Sequence, residues 1–249
     1  MEFQMNNSTK STADYFCVIT GPIGVGKTTI YNLLARELQK SNDNLVKIRE
    51  YIDGKNNYVS DYLLGMYLNG NLSDACFQNY IQSYYIDELM PEKLNNKIIL
   101  MERCMSDSVS IFCNLANSRK KLSDIDFAIM YNNCKNEDLK VSAPNYFIKN
   151  FEFSLITTNV HPEISVKEIM NIIEKDLASG IKSRVIGLMN DSEICYNRMV
   201  ERARGSETSY KKIDIERNCF AYQQLYEMIQ NPDYQEIRLF DLGKLLQYK

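Results

Sequence analysis

Short apolar runs alternate along the chain with longer segments in which apolar residues recur every three or four positions. The runs predict buried β-strands at 15–20, 45–49, 97–102, 184–189 and 236–240. The third of these runs holds four consecutive apolar residues, at 98–101. Such a run indicates burial on both faces, as in a parallel sheet covered by helices.

The periodic segments predict helices between these strands. Ser73 is placed to cap a long helix, and a capping box at 165–168 begins a helix that Gly180 ends. Further helices are predicted after the first strand, where apolar residues recur at helical spacing over 30–38, and at 62–67, 106–115, 124–132, 193–203 and 213–230.

Two segments are less regular. Residues 51–60 carry turn signals and predict a loop, and 141–160 predicts either a hairpin or an irregular insertion. Because strands and helices otherwise alternate, we expect an α/β fold with an open parallel sheet of about five strands flanked by helices. Residues 1–14 are polar and are expected to form a flexible tail before a single domain at 15–249.

The composition is that of an ordinary globular protein, and it narrows the range of partners. The net charge of −3 gives no basic footprint for a nucleic-acid polymer, and no apolar run approaches the length of a membrane span. The seven cysteines form no C-x-x-C pair, which favours free thiols in a reducing compartment. His161 is the single histidine, so a zinc site built on several histidines is excluded. A cytoplasmic location is expected.

Residues 21–28 fit the phosphate-binding loop pattern G-x-x-x-x-G-K-[ST] at every fixed position. A predicted strand precedes the loop and a predicted helix follows it. In that order the loop amides and the helix N-terminus form a cradle for phosphates. Lys27 is placed to reach the β- and γ-phosphates, and the Thr28 hydroxyl is placed to bind Mg²⁺. The sequence therefore predicts a nucleoside triphosphate site.

Three further clusters accompany this loop. Glu50 ends a predicted strand and is suited to accept a proton from a substrate hydroxyl. Glu102 and Arg103 end another strand, with a carboxylate for Mg²⁺ beside a guanidinium for phosphate. Arg198, Arg202 and Arg204 form a cationic segment that can close over a transferred phosphoryl group. Taken singly, Glu50 has a solvated strand end as its alternative, and the arginines a solvated helix face.

Read together, these motifs resemble the deoxynucleoside kinase family, which includes deoxycytidine, deoxyguanosine and mitochondrial thymidine kinases and the insect multisubstrate enzyme. Besides the phosphate loop, the resemblance rests on Glu102-Arg103-Cys104, on Phe77-Gln78-x-Tyr80, on Met66-Tyr67 and on Arg198-x-x-x-Arg202-Ala203-Arg204-x-x-Glu207. It covers roughly 15–118 and 184–230, with the motifs in the family's order.

The resemblance implies a P-loop kinase with an arginine-rich lid that transfers phosphate from Mg²⁺-bound ATP to the 5′-hydroxyl of a deoxynucleoside. The expected catalytic residues are Glu50 as general base and Arg103. The residues expected to hold the ATP phosphates are Gly21, Gly24, Val25, Gly26, Lys27, Thr28, Thr29, Arg198, Arg202 and Arg204. The residues expected around the nucleoside are Tyr67, Phe77, Gln78, Tyr85, Ser108, Phe112 and Glu207. Thr28 and Glu102 are the expected Mg²⁺ ligands, and a homodimer formed through helices is implied.

The chain also departs from the family pattern. Glu50 is followed by Tyr-Ile-Asp where the family tends to have Pro-Glu-Pro, Cys104 replaces a serine, and 140–183 is longer than usual. A thymidylate-kinase-like enzyme acting on monophosphates and a P-loop protein without kinase activity therefore remain alternatives.

Two positions bear on the choice of base. In the resembled family, relatives that take cytosine or purines carry Arg and Asp where this chain has Tyr85 and Ser108. Asp107 is adjacent but turned about 100° around the helix, so we do not expect it to replace the missing acid. The sequence therefore predicts a preference for thymidine and other pyrimidines.

Overall fold

The computed structural model describes residues 13–54, 57–158, 161–202, 207, 209–234 and 236–246. Five parallel strands form one sheet in the order β2-β3-β1-β5-β4. The strands are β1 (Tyr15–Thr20), β2 (Leu45–Ile48), β3 (Ile98–Glu102), β4 (Glu152–Thr157) and β5 (Ser183–Met189).

Helices cover both faces of this sheet. They are α1 (Lys27–Ser41), α2 (Asn57–Leu68), α3 (Asp74–Glu88), α4 (Pro91–Leu94), α5 (Met105–Asp107), α6 (Asn114–Ser118), α7 (Asp124–Val141), α8 (Pro162–Ser179), α9 (Ser192–Arg202), α10 (Lys212–Gln230) and α11 (Leu239–Leu245). A 3₁₀ turn occupies Tyr51–Asp53, and a π-helical segment, Ser108–Cys113, joins α5 to α6.

The central strand β1 separates two hydrophobic cores. Its alternate residues point to opposite faces, so Phe16 and Val18 lie in one core and Cys17 and Ile19 in the other. Helices α1, α8 and α9 pack on the Cys17 side, and α3 and α7 pack on the Phe16 side. This arrangement is the three-layer α/β fold that the sequence predicts.

Most of the predicted elements are confirmed within a few residues. The Ser73 side chain accepts the Cys76 N–H at 3.2 Å and caps α3. Gly180 ends α8 in the left-handed conformation, with φ 72°. Helix α2 begins at Asn57, inside the predicted loop, and α7 continues to Val141, past its predicted end.

Two elements differ from the prediction. The run at 236–240 forms no strand in the described part of the chain. Instead, the Asp241 carboxylate accepts the Arg238 N–H at 3.1 Å and caps the first turn of α11. The fifth strand is β4, which lies inside segment 141–160 and pairs with β5 at the sheet edge. That segment is therefore neither a hairpin nor an irregular insertion.

The predicted capping box at 165–168 is also wrong. Helix α8 begins at Pro162, which suits the first helical position because it has no N–H to leave unpaired. Ser165 lies inside the helix and is buried. The helix is fixed to the sheet by Asp176, which accepts hydrogen bonds from the Tyr15 hydroxyl at 2.7 Å and from Arg184 Nε at 2.8 Å.

Candidate active site

A cavity of about 750 Å³ opens at the edge of the sheet where β1 and β3 end. All but two of the predicted site residues that the structure describes line this cavity. The exceptions, Gly21 and Glu102, contact lining residues: the Gly21 carbonyl accepts from Arg103, and Glu102 accepts from Thr28. Of the predicted set, Arg204 lies outside the described residues, as does most of the tail predicted at 1–14.

The phosphate-binding loop joins β1 to α1 and is packed tightly against α9. Gly24 has φ 79°, and a Cβ atom placed there would lie 1.9 Å from the Cys195 carbonyl oxygen. Glycine is therefore required at this position for both conformation and space. The Val25 carbonyl accepts hydrogen bonds from Thr158 Oγ1 at 3.0 Å and from Arg198 at 3.2 Å, so the loop is held from two sides.

Lys27 is buried at the N-terminus of α1, and its Nζ donates to the Pro22 carbonyl at 2.9 Å. Burial and the neighbouring Arg103 guanidinium lower the pKa of Lys27 to about 8, against the opposing influence of Glu50 and Glu102. A bound polyphosphate would add negative charge beside this ammonium group and favour its charged form.

Thr28 and Glu102 form the second contact of the loop. The Thr28 hydroxyl donates to Glu102 Oε1 at 2.6 Å. Glu102 is fully buried, and its Oε2 has no hydrogen-bond partner among the described residues. Burial, reinforced by the nearby Glu50 charge, raises the pKa of Glu102.

Arg103 connects the loop to Glu50. Its guanidinium forms an ion pair with the Glu50 carboxylate, donates to the Gly21 carbonyl at 3.2 Å and lies 5.0 Å from the centre of the Phe112 ring. The backbone of Arg103 is left-handed, with φ 62°, a conformation that is uncommon for a residue other than glycine. This backbone conformation follows directly after β3, and the Arg103 side chain lines the cavity beside Glu50.

Helix α3 and the π-helical segment form the opposite end of the cavity. The Ser108 hydroxyl donates to Gln78 Oε1 at 2.8 Å, which fixes the orientation of that amide. Tyr85 lines the cavity while its hydroxyl donates to the Glu102 carbonyl at 3.3 Å. The Tyr67 ring stacks on Phe77, with centroids 4.4 Å apart.

The acidic residue next to Ser108 is turned away from the cavity, as expected. The Asp107 carboxylate accepts hydrogen bonds from the Thr20 hydroxyl and, at 3.0 Å, from the Tyr146 hydroxyl. It also caps α5 through the Cys104 N–H at 2.9 Å. Cys104 is buried and donates its thiol to the same carboxylate, so it fits into this capping motif.

The two lid residues Arg202 and Glu207 contact each other rather than the phosphate loop or the sheet. Arg202 binds Glu207 through two nitrogens, with NH2 to Oε1 at 2.6 Å and Nε to Oε2 at 3.1 Å. Two residues predicted for separate roles, one on phosphate and one on the sugar, are thus paired with each other.

Several residues that line the cavity were not predicted from the sequence. Asp74 follows the Ser73 cap and lies four residues before Gln78, a spacing that places both on one helix face and was available in the sequence. Asn218 of α10 accepts the Ile23 N–H of the phosphate loop at 2.9 Å, and Arg119 pairs with Asp214 at 3.3 Å. These contacts join segments far apart in the chain, and no local signal marks them.

A phosphate loop at the edge of a parallel sheet, with an acid and an arginine at the end of the neighbouring strand, defines a P-loop nucleotide-binding protein of the α/β class. The family model for deoxynucleoside kinases matches residues 17–149, more than half of the chain. The chain belongs to this family, and it is a deoxynucleoside kinase.

A solved structure supports the fold. The deoxyadenosine kinase from M. mycoides with bound dATP is similar to this chain with a TM-score of 0.54 and 15% sequence identity, over 92% of this chain and 96% of that one. No curated protein matches. Within the described ranges, no helix is both long and apolar enough to cross a membrane.

Proposed function

We propose that this kinase transfers the γ-phosphoryl group of ATP to the 5′-hydroxyl of a deoxynucleoside and prefers thymidine and other pyrimidines. The observation that supports this reaction is the position of Glu50. Its carboxylate lies in one continuous cavity between the phosphate loop and the residues expected around the nucleoside, and it is oriented by Arg103.

At the phosphate end, cationic and amide groups supply the electrostatic part of catalysis. Phosphoryl transfer needs little covalent help, because positioning and charge stabilisation provide most of the acceleration. Lys27 and Arg103 are buried at the site where the γ-phosphate would lie, in surroundings where charge interactions are strong. Arg198 and Arg202 come from α9 on the other side of the cavity.

The same end fits Mg²⁺. Glu102 Oε2 is a buried carboxylate oxygen without a hydrogen-bond partner among the described residues, and the Thr28 hydroxyl lies 2.6 Å from the other oxygen of that group. Mg²⁺ takes oxygen ligands and keeps several waters and phosphate oxygens, so one carboxylate and one hydroxyl are a sufficient protein contribution. When bound, the ion would offset negative charge on the phosphates.

Glu50 is proposed as the general base. The Arg103 guanidinium fixes the carboxylate at the junction of the two ends of the cavity, where a 5′-hydroxyl must meet the γ-phosphate. Arg103 contacts both Glu50 and the Gly21 carbonyl, so the base and the loop keep a fixed geometry relative to each other.

The proposed base preference rests on three uncharged side chains. Gln78 presents an amide that can pair with thymine N3–H and O4, and Ser108 holds its orientation. The Tyr85 hydroxyl is directed to the Glu102 carbonyl, and Asp107 is turned toward Thr20. No charged group at these positions demands an exocyclic amine from the base. Phe112 borders the same space and can stack on the base.

The test is a transfer assay with labelled ATP over the four deoxynucleosides and their monophosphates. We expect the label on the nucleosides, with kcat/KM for thymidine above that for deoxyadenosine and deoxyguanosine. A purine in first place would contradict the base preference. Transfer only to monophosphates would instead support a thymidylate-kinase-like enzyme, and ATP hydrolysis without transfer would contradict kinase activity.

The proposal includes a homodimer formed through helices. Helix α7 exposes Ile125 and Ile129, which lie one turn apart with 73% and 51% of their surface accessible. A pair of large exposed apolar side chains on one helix face suits a contact with a second copy. Light scattering of the wild type and of Ile129→Glu would test this, with loss of a dimer expected in the variant.

A further inference from the structure

Asp74 is a buried carboxylate in the nucleoside end of the cavity that the mechanism above does not use. It is 8% exposed and lines the cavity from the first turn of α3, one turn before Gln78. The Tyr67 hydroxyl donates to its Oδ2 at 3.0 Å. Among the described residues, no lysine or arginine forms an ion pair with it.

The geometry of Tyr67 gives this hydrogen bond its significance. The Tyr67 ring lies parallel to Phe77, with 11° between the planes, so its direction is fixed. A phenol has one proton to donate, and here that proton is directed to Asp74. Burial and the Asp74 charge raise the pKa of Tyr67, so the hydroxyl stays protonated at neutral pH. Toward the cavity, the Tyr67 oxygen is left only with lone pairs.

The second carboxylate expected at the sugar is engaged elsewhere. Glu207 is bound by the Arg202 guanidinium through two nitrogens. Asp74 is therefore the carboxylate that acts on Tyr67 whether or not the lid pair opens.

We propose that Asp74 is a positioning residue for sugar recognition: by accepting the hydrogen bond of the Tyr67 hydroxyl, it leaves the Tyr67 oxygen as an acceptor toward the cavity and selects nucleosides that present a hydrogen-bond donor at C3′. The inference rests on the proposed contact between Tyr67 and the 3′-hydroxyl. It predicts that a 3′-fluoro analogue, which offers only an acceptor, is rejected because two acceptors face each other. A 3′-deoxy analogue is rejected because it leaves the Tyr67 oxygen unpaired once the substrate has displaced water from the cavity.

The test compares kcat/KM for the best deoxynucleoside of the series with kcat/KM for its 3′-fluoro and 3′-deoxy analogues. In Asp74→Ala the Tyr67 hydroxyl no longer donates to a carboxylate and is able to donate toward the substrate, so the ratio of 3′-hydroxyl to 3′-fluoro substrate should fall by up to about 10-fold, the upper end for a hydrogen bond between neutral groups. The 3′-fluoro analogue should gain, because the Tyr67 hydroxyl is then able to donate toward the fluorine, and the natural substrate should lose, because its 3′-hydroxyl no longer meets a fixed acceptor. In Asp74→Ala/Tyr67→Phe the ratio should be no lower than in Tyr67→Phe alone, because the two residues act as a unit.

Asp126→Ala is the matched control, since Asp126 is also a first-turn acid, of α7, and accepts from Ser123 away from the cavity. Its ratio should equal that of the wild type. If Asp74→Ala does not fold, Asp74→Ser is the second variant, because serine is too short to reach the Tyr67 hydroxyl. An unchanged ratio in the Asp74 variant, with a changed ratio in Tyr67→Phe, would overturn the inference alone. An unchanged ratio in Tyr67→Phe as well would show that the proposed sugar site is wrong.

Discussion

At the phosphate end of the cavity, the residues expected to bind phosphate and Mg²⁺ contact the loop and the sheet. At the lid, the two residues expected to bind substrates contact each other. Lys27 contacts the Pro22 carbonyl, and Thr28 contacts Glu102, both through groups that β1, β3 and α1 hold in place. Arg202 and Glu207 instead form a lid ion pair with each other. We therefore expect the phosphate end to be preformed and the lid residues to exchange partners when substrates bind.

The exposure of the two lid side chains differs. Arg202 is 35% exposed, whereas Glu207 is only 9% exposed, so separating them would remove the guanidinium from a largely buried carboxylate. Contacts with a phosphate that is closed off from water are strong. We therefore expect the lid pair to separate only when ATP takes Arg202 and a substrate hydroxyl takes Glu207, while the buried contacts of the loop keep their geometry.

The largest effect should come from Glu50, which lies between the two ends. Glu50→Gln is expected to keep ATP and nucleoside binding but to lower kcat by ~10²–10⁴, because an amide cannot accept the 5′-hydroxyl proton. Calorimetry for binding and steady-state kinetics for turnover separate the two quantities. Glu201→Gln, an exposed carboxylate on the cavity wall, is the control. A Glu50→Gln enzyme with near-wild-type kcat would assign the base elsewhere.

Arg202→Ala tests whether the lid acts in the transition state. We expect kcat to fall by about 10²-fold with a smaller change in the nucleoside KM, because we propose that the guanidinium reaches the phosphoryl group only when the lid closes around ATP. Arg36→Ala, on the exposed face of α1, should leave both parameters unchanged. An effect confined to KM would mean that Arg202 only binds substrate, and the comparison between the two ends would lose its basis.

Gly24→Ala tests how far the phosphate end is preformed. The added Cβ would overlap the Cys195 carbonyl and force an unfavourable φ, so we expect ATP affinity to fall by about 1–3 kcal/mol. Gly65→Ala is the control. Gly65 lies inside α2 with no atom within 4 Å of the new Cβ, so alanine there should stabilise the fold by about 0.5–1 kcal/mol. Unchanged ATP affinity in Gly24→Ala would show that the loop can move away from α9.

Glu102→Gln should reveal the cost of the buried carboxylate. Folding raises the pKa of Glu102 above its ordinary value of about 4.5. The contribution of the protonated group to the free energy of unfolding is therefore fully present below that ordinary value, and it is lost as the pH rises through the pKa of the folded state. Without ligands, the variant and the wild type should therefore unfold alike at low pH. At pH 8 the variant should unfold about 2–4 °C higher, the shift that ~1 kcal/mol causes in a domain of this size.

Thermal unfolding across this pH range checks the Glu102 prediction, with Glu168→Gln on the exposed face of α8 as control. Added Mg²⁺ and ATP should reverse the order, because the variant lacks the proposed metal ligand. A variant whose unfolding temperature at pH 8 is no higher than that of the wild type would contradict the burial cost.

The phosphate end is also the part that the sequence predicts best. Each motif at this end is a short, unbroken stretch of sequence, as in the phosphate loop and in Glu102-Arg103 with the strand before it. The local pattern of residues is therefore enough to predict each of them. Glu50 is separated from Arg103 in the chain, but both end neighbouring strands, and the carboxyl ends of parallel strands meet at one edge.

The predictions from sequence fail where contacts between separate segments of the chain decide the structure. Residues 236–240 and 152–157 are both short apolar runs, and pairing with β5 makes the latter the edge strand. The pairing of Arg202 with Glu207 could not be predicted either, because each fits a ligand equally well and only the fold shows that they reach each other. Asp74, by contrast, could have been found from its spacing to Gln78.

The most direct measurement is a crystal structure of the complex with thymidine, Mg²⁺ and a non-hydrolysable ATP analogue. We expect the thymidine 5′-hydroxyl within hydrogen-bond distance of Glu50 and the γ-phosphate next to Lys27. We also expect the Arg202–Glu207 pair to be separated, with Arg202 on phosphate and Glu207 at the sugar. An intact pair with both ligands bound, or a 5′-hydroxyl distant from Glu50, would contradict this mechanism.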